Sequence, residues 1–283
     1  MNVRRTYERL RARLIYCRGF GRLPDLENPR LFSEKVVAAK LTWRSPMMPI
    51  LADKVLVKEI VSQRLGAAWV TPSLFSGPQL PPRDQRDWPL PLVIKANHGC
   101  GYNVFLKDES DKEWEAIEPR IRRWLSGRYG AHDAEWLYGE IVPQALVEPM
   151  IGGSIPSTEY KFFCFAGRVE FIEAHLRRGD VRECANMDRA WTFHPFTLLM
   201  PRATTPPPRP QSLEEMIRGA EVLAEGFPFV RIDLYEIDGR PRFGEVTFYP
   251  ASGRIKPNPP EYDQIYGDLW PSGLPTGKAA RPI

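Results

Sequence analysis

The stretch Phe229-Val-Arg-Ile-Asp-Leu-Tyr-Glu-Ile-Asp-Gly-Arg-Pro-Arg-Phe-Gly-Glu-Val-Thr-Phe-Tyr249 is typical of a β-hairpin. Apolar and polar side chains alternate along both halves, which is the period of a strand with one buried face. The polar face carries four side chains that could take part in chemistry: Arg231, Asp233, Glu245 and Thr247. The turn decides whether the two halves present these side chains together.

Two turns fit the sequence. A two-residue turn at Asp238-Gly239 sets Asp233 opposite Gly244 and points its carboxylate away from Glu245. A three-residue loop, with Gly239 left-handed, pairs residue 231 with 245 and residue 233 with 243, and brings the four polar side chains onto one face. We adopt the three-residue loop, because clustered carboxylates are the hard oxygen ligands that Mg²⁺ prefers. It predicts a metal site at Asp233, Glu245 and Thr247, and the structural alternative is an exposed face with one salt bridge.

The composition is that of a globular chain with two or three subdomains, since 43% of its 283 residues are hydrophobic. The net charge of +4 does not call for nucleic acid. Its four cysteines form no CxxC pair, so no zinc site is predicted, and a reducing cytoplasm is expected. No signal peptide and no apolar run of about 18 residues is evident, so the sequence predicts neither secretion nor a membrane span.

The N-terminal segment is predicted to be a helix with many arginines and one acid, Glu8, before Asp25. Tyr7, Leu10, Leu14 and Cys17 lie along one stripe of this helix. Two explanations stay open: the stripe packs against the rest of the protein, or the helix contacts a membrane surface or an anionic polymer.

Further residues fit the binding of a nucleoside triphosphate, which needs cations and backbone amides for its phosphates. Lys54 lies in a helix predicted over residues 51–65, and Lys95 lies near the end of a buried strand at 92–97. The loop His98-Gly99-Cys100-Gly101 comes next, followed by a strand at 103–106, which is the order expected of a flap that closes over phosphates. Glu148 precedes a Gly152-Gly153 hinge.

With these stretches in view, the sequence resembles the ATP-grasp superfamily, and more closely its TupA-like branch, named for a protein of teichuronopeptide biosynthesis. The matching stretches are Asn28–Lys35, Leu51–Lys54, Val93–Gly101, Glu159–Phe165, Gly226–Tyr235 and Gly244–Phe248. They imply an ATP-grasp fold that binds ATP and Mg²⁺.

The resemblance also implies roles for individual residues. Lys54 and Lys95 would contact nucleotide phosphates, and Glu148 would lie at the linker that holds adenine. Glu159 would accept a ribose hydroxyl. The hairpin acids would hold magnesium, and Arg231 would stabilise the reacting phosphoryl group.

The chain departs from the family pattern in four places. Thr247 stands where many members have a metal-binding asparagine, and Cys100 stands where the TupA-like branch is expected to have serine. Only about 50 residues precede Lys54, too few for the usual Rossmann-like N-terminal domain. The lysine for the terminal phosphate is not matched, and Lys161, Arg177 and Arg178 are the candidates.

The fold class predicted is α/β with two α+β subdomains. The predicted division is a helical segment at 1–50, a subdomain with the glycine flap at 51–147, a subdomain with the acidic hairpin at 148–270, and a loose tail at 271–283. The chain after Tyr262, which is rich in Gly and Pro, is also expected to be loose. ATP is expected between flap and hairpin.

The function predicted is an ATP-dependent carboxylate–amine ligase, with Arg231 and Lys161 as catalytic residues. Its substrates would be a small-molecule or saccharide carboxylate and an amine. The alternatives are a glycosyltransferase of a polysaccharide pathway and a non-catalytic nucleotide- or polymer-binding protein.

Overall fold

A computed structural model of the chain describes residues 3–153, 158–178 and 180–271. Within these ranges the helices are α1 Val3–Phe20, α2 Phe32–Thr42, α3 Met47–Ala52, α4 Val57–Leu65, α5 Trp114–Ser126, α6 Leu213–Ala224 and α7 Glu261–Leu269. The strands are β1 Phe75–Gly77, β2 Leu92–Ala96, β3 Asn103–Leu106, β4 Ala145–Pro149, β5 Glu159–Phe165, β6 Arg168–Arg178, β7 Val181–Met187, β8 Phe229–Ile237 and β9 Arg240–Thr247.

The chain divides into two compact units. The first, here called the hairpin unit, contains residues 1–48, Asp133–Glu135 and the chain from Thr158 onward. The second, here called the flap unit, contains residues 49–132 and 136–157. The predicted division treated residues 1–50 as a separate segment, whereas the structure groups residues 1–48 with the C-terminal part.

The flap unit is built on a four-stranded antiparallel sheet in the order β1-β4-β2-β3. Helix α5 covers it, because Ile117, Ile121 and Trp124 point from one side of the helix into a core with Ile94 and Val147. Burial of this apolar surface fixes β2 at the centre of the sheet. Lys95 and the loop after it are thereby held at the end of a rigid strand.

The hairpin unit contains a five-stranded antiparallel sheet in the order β7-β6-β5-β8-β9. Helix α6 packs on one face, where the Cys164 sulfur lies 4.0 Å from the Ala220 carbonyl oxygen. On the other face, Phe32 of α2 stacks edge-on against Phe229, with ring centroids 5.0 Å apart. Trp270 closes this aromatic cluster, 4.9 Å from the same ring.

The β8–β9 hairpin was predicted correctly, but its loop was not. Ile237 pairs with Arg240, so Asp238-Gly239 is a two-residue turn, and both turn residues have positive φ, 51° and 70°. This is the backbone of the turn that suits the right-handed twist of paired strands. The three-residue loop and its pairing of residue 231 with 245 and residue 233 with 243 are wrong.

A bulge nevertheless restores the shared face. Leu234 pairs with Phe243 and Asp233 pairs with Glu245, so Gly244 is an extra residue on β9. A Cβ atom at Gly244 would lie 2.9 Å from the Asp233 carbonyl oxygen, which explains why glycine stands there. One inserted residue reverses the faces of everything after it. The two carboxylates are therefore cross-strand partners despite the short turn.

Two further predictions need correction. The helix predicted over 51–65 is broken between α3 and α4, and Lys54 lies in the connecting turn, where the Asp53 carboxylate accepts hydrogen bonds from the Val55 and Leu56 amides. The chain after Tyr262 was expected to be loose, but residues up to Leu269 form α7 and Trp270 is buried. Residues 272–283 lie outside the described part of the chain.

Candidate functional site

A row of polar side chains crosses the sheet of the hairpin unit, one from each strand. The register aligns Asn186, Glu173, Lys161, Asp233 and Glu245. Directly paired residues of neighbouring strands lie on the same face, so their side chains meet. The sheet thus assembles, on rigid strands, acids from β6, β8 and β9 around one lysine of β5.

Lys161 is the cation at the centre of this row. Its Nζ lies 2.7 Å from Asp233 Oδ2 and 2.7 Å from Glu159 Oε2, and only 7% of the residue is exposed. Burial alone would lower the pKa of Lys161, but the neighbouring acids, Asp233 foremost, raise it above its usual value. The lysine therefore stays charged and acts as a fixed positive group.

Glu159 lies two residues before Lys161 on β5, on the same face of the sheet, and accepts a hydrogen bond of 3.0 Å from the Tyr235 hydroxyl. Burial would raise the pKa of Glu159, but the Lys161 ammonium outweighs it and holds this pKa below the usual range. Burial and the Glu159 carboxylate together raise the pKa of Tyr235. Glu159 is thus an ionised acceptor, and Tyr235 keeps its proton.

Arg231 joins the two hairpin acids. Its Nε and Nη2 donate to the two Asp233 oxygens at 2.6 and 2.7 Å, and Nη2 also reaches Glu245 Oε1 at 3.3 Å and Thr247 Oγ1 at 3.0 Å. Burial opposes the charge of Arg231, but Asp233 and Glu245 outweigh it and raise its pKa. The four polar side chains share one face, as the sequence predicted, though through a different turn.

Whether these residues suit a magnesium ion depends on which oxygens remain accessible. The Asp233 side chain is fully buried, with both oxygens engaged by cations, whereas 26% of the Glu245 side chain is exposed. No group of three or more His, Cys, Asp or Glu residues among those the structure describes is arranged to hold a metal. Mg²⁺ bound with a nucleotide needs only one or two carboxylates beside phosphates and water. Glu245, with Asp233 behind it, fits that smaller requirement.

The flap unit contains a second charged group around Glu148. Its Oε2 lies 2.6 Å from Lys95 Nζ, and its Oε1 contacts Lys58 Nζ. Burial would raise the pKa of Glu148, but Lys95 and Lys58 outweigh it and hold that pKa below the usual range. Burial lowers the pKa of Lys58 although Glu148 opposes this. The structure therefore brings two predicted residues together and adds a lysine that the sequence did not indicate.

Lys54 and the glycine loop form one connected structure. Lys54 Nζ donates to the Gly99 carbonyl oxygen at 2.8 Å, and the Lys54 backbone amide donates to the Asn97 carbonyl oxygen at 3.1 Å. The buried Asn97 side chain donates to Asp53 Oδ2 at 3.0 Å. Lys54 thus supports the loop from the turn beneath it.

Within the loop, the four predicted residues differ in their surroundings. His98 is buried, and burial together with the Lys54 charge lowers its pKa, which favours the neutral ring. Gly99 packs against Tyr102, whose ring a Cβ would approach to 2.7 Å. Gly101 has φ +74° and open space around it, and Cys100 is exposed. The exposed tip of the loop is therefore Cys100-Gly101.

Sequence reasoning missed four residues that touch these groups: Lys58, Glu173, His175 and Tyr235. His175 Nε2 lies 2.6 Å from Glu173 Oε1, and its Nδ1 lies 3.8 Å from Glu159 Oε2. Glu173 and His175 on β6 and Tyr235 on β8 alternate along their strands in the same way as the predicted residues. This pattern could have identified these three residues from the sequence. Of the candidates for the terminal phosphate, Lys161 lies in the row, Arg177 pairs loosely with Asp180 at 3.9 Å, and the Arg178 side chain lies outside the described part.

Comparison with known families gives one decisive match. The profile described as TupA-like ATPgrasp matches residues 34–270, which is most of the chain. The chain belongs to the TupA-like ATP-grasp family. No curated protein matches the sequence.

Several solved ligase structures are similar to this TupA-like chain at low sequence identity. They include D-alanine–D-alanine ligase from Bacillus anthracis complexed with ATP (14% identity, 72% of this chain and 57% of that chain, TM-score 0.43). L-amino acid ligase from Bacillus licheniformis is 17% identical over 78% of this chain and 49% of that chain, with a TM-score of 0.48. D-Alanine-D-alanine ligase from Helicobacter pylori is 12% identical over 89% of this chain and 70% of that chain, with a TM-score of 0.45. The TupA-like chain therefore spans about half the length of the first two.

In the part of the TupA-like chain that the structure describes, no helix is both long and apolar enough to cross a bilayer. The four cysteines are free thiols, and Cys164 and Cys184 are buried. Burial raises the pKa of Cys184 to about 12, so this thiol stays protonated.

Proposed function

We propose that this TupA-like chain is an ATP-dependent carboxylate–amine ligase that binds ATP with Mg²⁺. The observation that carries the proposal is the charged row of the hairpin unit, in which Lys161, Arg231 and Glu245 converge on one sheet face beside the buried Asp233. A structural salt bridge needs only one cation and one acid. This face holds two cations, Lys161 and Arg231, and three acids, Glu159, Asp233 and Glu245. Such a group on rigid strands is the arrangement expected where phosphate charge and metal charge must be balanced.

The flap-unit residues would bind the nucleotide phosphates. Lys95 is 22% exposed at its side chain and paired with Glu148, so it offers a charge of fixed position. The Cys100-Gly101 tip would approach the phosphates with backbone amides, since Gly101 has no side chain in the way. Glu148 would lie close to the adenine, as in the family pattern.

On the hairpin unit, Glu245 would hold magnesium with Asp233 behind it, and the bound ion would offset negative charge on the phosphates. Arg231 would donate to oxygens of the terminal phosphoryl group as the substrate carboxylate attacks it and ADP leaves. Lys161 would pair with Asp233 and keep Glu159 ionised. Glu159 would accept a hydrogen bond from the ribose. An amine would then displace phosphate from the acyl phosphate and form an amide.

For the substrates, the TupA-like membership favours a uronic-acid-type carboxylate and an amino acid or short peptide as the amine. Such a product belongs to cell-surface polysaccharide biosynthesis. Panels of uronic acids and amino acids, with ADP release as the readout, would identify the pair.

The first test of the proposal is ligand-dependent stability. A ligand that binds only the folded protein raises its unfolding free energy, by about 2.7 kcal/mol at a hundredfold excess over Kd. We expect ATP with Mg²⁺ to raise Tm clearly and a UDP-sugar to leave it unchanged. A strong shift with the UDP-sugar and none with ATP would instead favour a glycosyltransferase.

The second test separates catalysis from binding. Glu245→Gln keeps the side-chain size and removes one charge, so ADP release should fall far more than the ATP-dependent Tm shift. Glu215→Gln on the exposed side of α6 is the matched control and should change neither. Equal turnover in Glu245→Gln and wild type would remove the metal role from this residue.

A further inference from the structure

Helix α1 exposes an apolar stripe that the sequence alone left undecided. Tyr7, Leu10 and Leu14 are 62%, 57% and 52% exposed, although they follow the i, i+3, i+7 spacing of a helix face. The helix packs through its opposite side instead, where Ala12 and Tyr16 are buried and Tyr16 stacks on Phe20 at 4.2 Å. The explanation that this stripe packs against the protein is therefore wrong for these three residues.

The arginines of α1 fall into two groups. Arg9 and Arg13 face Glu27 and are paired with it, and Arg22, just after the helix, is paired with Glu34. Arg11 and Arg18 form no ion pair with any residue that the structure describes. The arginines on the inner side of α1 are thus compensated by acids, whereas Arg11 and Arg18 on the outer side have no compensating acid among the described residues.

The unpaired arginines flank the apolar stripe. At 100° per residue, Arg18 and Arg11 lie about 20° and 40° around the helix from Tyr7. A helix side with exposed Leu and Tyr beside free Arg is the pattern of an interfacial helix that inserts its apolar side chains between lipids while its arginines contact anionic headgroups.

We propose that this face of α1 docks on the surface of a membrane that contains anionic lipids. Charge complementarity selects this occupant. A second copy of the chain would bring the same arginines against each other, and three side chains are far fewer than the 20–30 residues that a typical interface uses on each side. An anionic polymer would attract the arginines but give the exposed leucines nothing to bury against. The inference does not depend on the proposed ligase activity.

The test is co-sedimentation of the full chain with vesicles of phosphatidylcholine alone or mixed with phosphatidylglycerol. We expect binding to the mixed vesicles only, and weaker binding as salt shortens the Debye length from about 10 Å at 0.1 M to about 3 Å at 1 M. Arg11→Gln with Arg18→Gln should weaken binding roughly 25-fold, from about fivefold for each arginine near an anionic surface.

The apolar contribution is tested by Leu10→Gln with Leu14→Gln, which keeps helix propensity and should weaken binding roughly tenfold for each leucine. The matched control is Val181→Gln with Leu199→Gln, because these residues are 59% and 62% exposed and belong to β7 and the segment after it, not to α1. The control should bind like wild type, and all variants should keep the wild-type circular dichroism spectrum.

Three results would overturn the proposal. Binding to mixed vesicles that survives loss of both leucines but is lost with the arginines, and is competed by dextran sulfate, would indicate an anionic-polymer contact. A concentration-dependent dimer abolished by the leucine pair would indicate a self-interface. Absence of vesicle binding at low salt would exclude a membrane contact.

Discussion

Lys161 offers the most direct test of the charged row, through stability rather than activity. Lys161→Met keeps the apolar stem of the side chain and removes a buried ammonium that lies 2.7 Å from both Asp233 and Glu159. Breaking a buried pair by removing one partner costs about 3–5 kcal/mol, because the remaining charge is left uncompensated. Asp233 would keep its bidentate contact with Arg231, and Glu159 would keep Tyr235. We therefore expect a loss near the lower end, about 3 kcal/mol at pH 7.

The loss should depend on pH with a defined sign. In the wild type the pKa of Glu159 is held below its usual 4.5, so its favourable contribution is present above pH 4.5 and is lost as pH falls through the folded value. In the variant the opposing cation is gone, and burial raises the pKa of Glu159. Protonation then relieves the buried charge, so the difference between variant and wild type should shrink between pH 7 and pH 4.5.

Urea unfolding followed by far-ultraviolet circular dichroism, at both pH values, measures the difference. Arg240→Met, an exposed basic residue at the turn of the same hairpin, is the control and should stay within about 0.5 kcal/mol of wild type. A Lys161→Met variant as stable as wild type, or a deficit equal at both pH values, would refute the assignment of Lys161 as the compensating charge.

Three more predictions concern single positions. Glu148→Gln should lower the unfolding free energy at pH 7 by about 3 kcal/mol, since it leaves two lysine partners uncompensated, and this deficit should shrink in acid, where the wild type loses the carboxylate's contribution. Gly244→Ala should cost about 1–3 kcal/mol in urea unfolding, because its Cβ would meet a backbone oxygen at 2.9 Å; wild-type stability would mean that the bulge yields freely. Gly99→Ala should cost a similar amount, since its Cβ would reach the Tyr102 ring at 2.7 Å, and a Tm equal to wild type would contradict that packing.

The hairpin illustrates what the sequence could and could not predict. Alternation alone identified the strands and the polar residues on each, because side-chain direction in a strand has a period of two. The turn and the bulge were both misjudged, since Asp238-Gly239 fits a short turn and nothing local to Gly244 marks an inserted residue. Glycine is required because a Cβ at residue 244 would lie 2.9 Å from the Asp233 carbonyl oxygen on the neighbouring strand. The sequence around Gly244 does not show this contact.

The same limit applies to Glu148. Its position before the Gly152-Gly153 segment was evident, but its partners come from β2 and from Lys58 on α4, which only tertiary structure brings close. Lys54 was identified from the residues around it in the sequence, but it lies in the turn between α3 and α4 and not in the predicted helix. The Asp53 side chain caps the following amides and favours a turn over a continuous helix.

The charged row and the aromatic core lie on the same face of one sheet, and this has a consequence for function. Along β5, Glu159 and Lys161 are followed at the same period by Phe163 and Phe165, and the latter ring lies 4.9 Å from Phe229 of β8. A slip of one residue between these strands would turn Arg231 and Asp233 toward the apolar face under α6, where unpaired charges cost several kcal/mol each. The aromatic cluster therefore fixes the register that aligns the charges. The strands hold the charged side chains in position, whereas a loop would need additional contacts to do so. Substitutions in the aromatic cluster should therefore disturb the charged row before they unfold the hairpin unit.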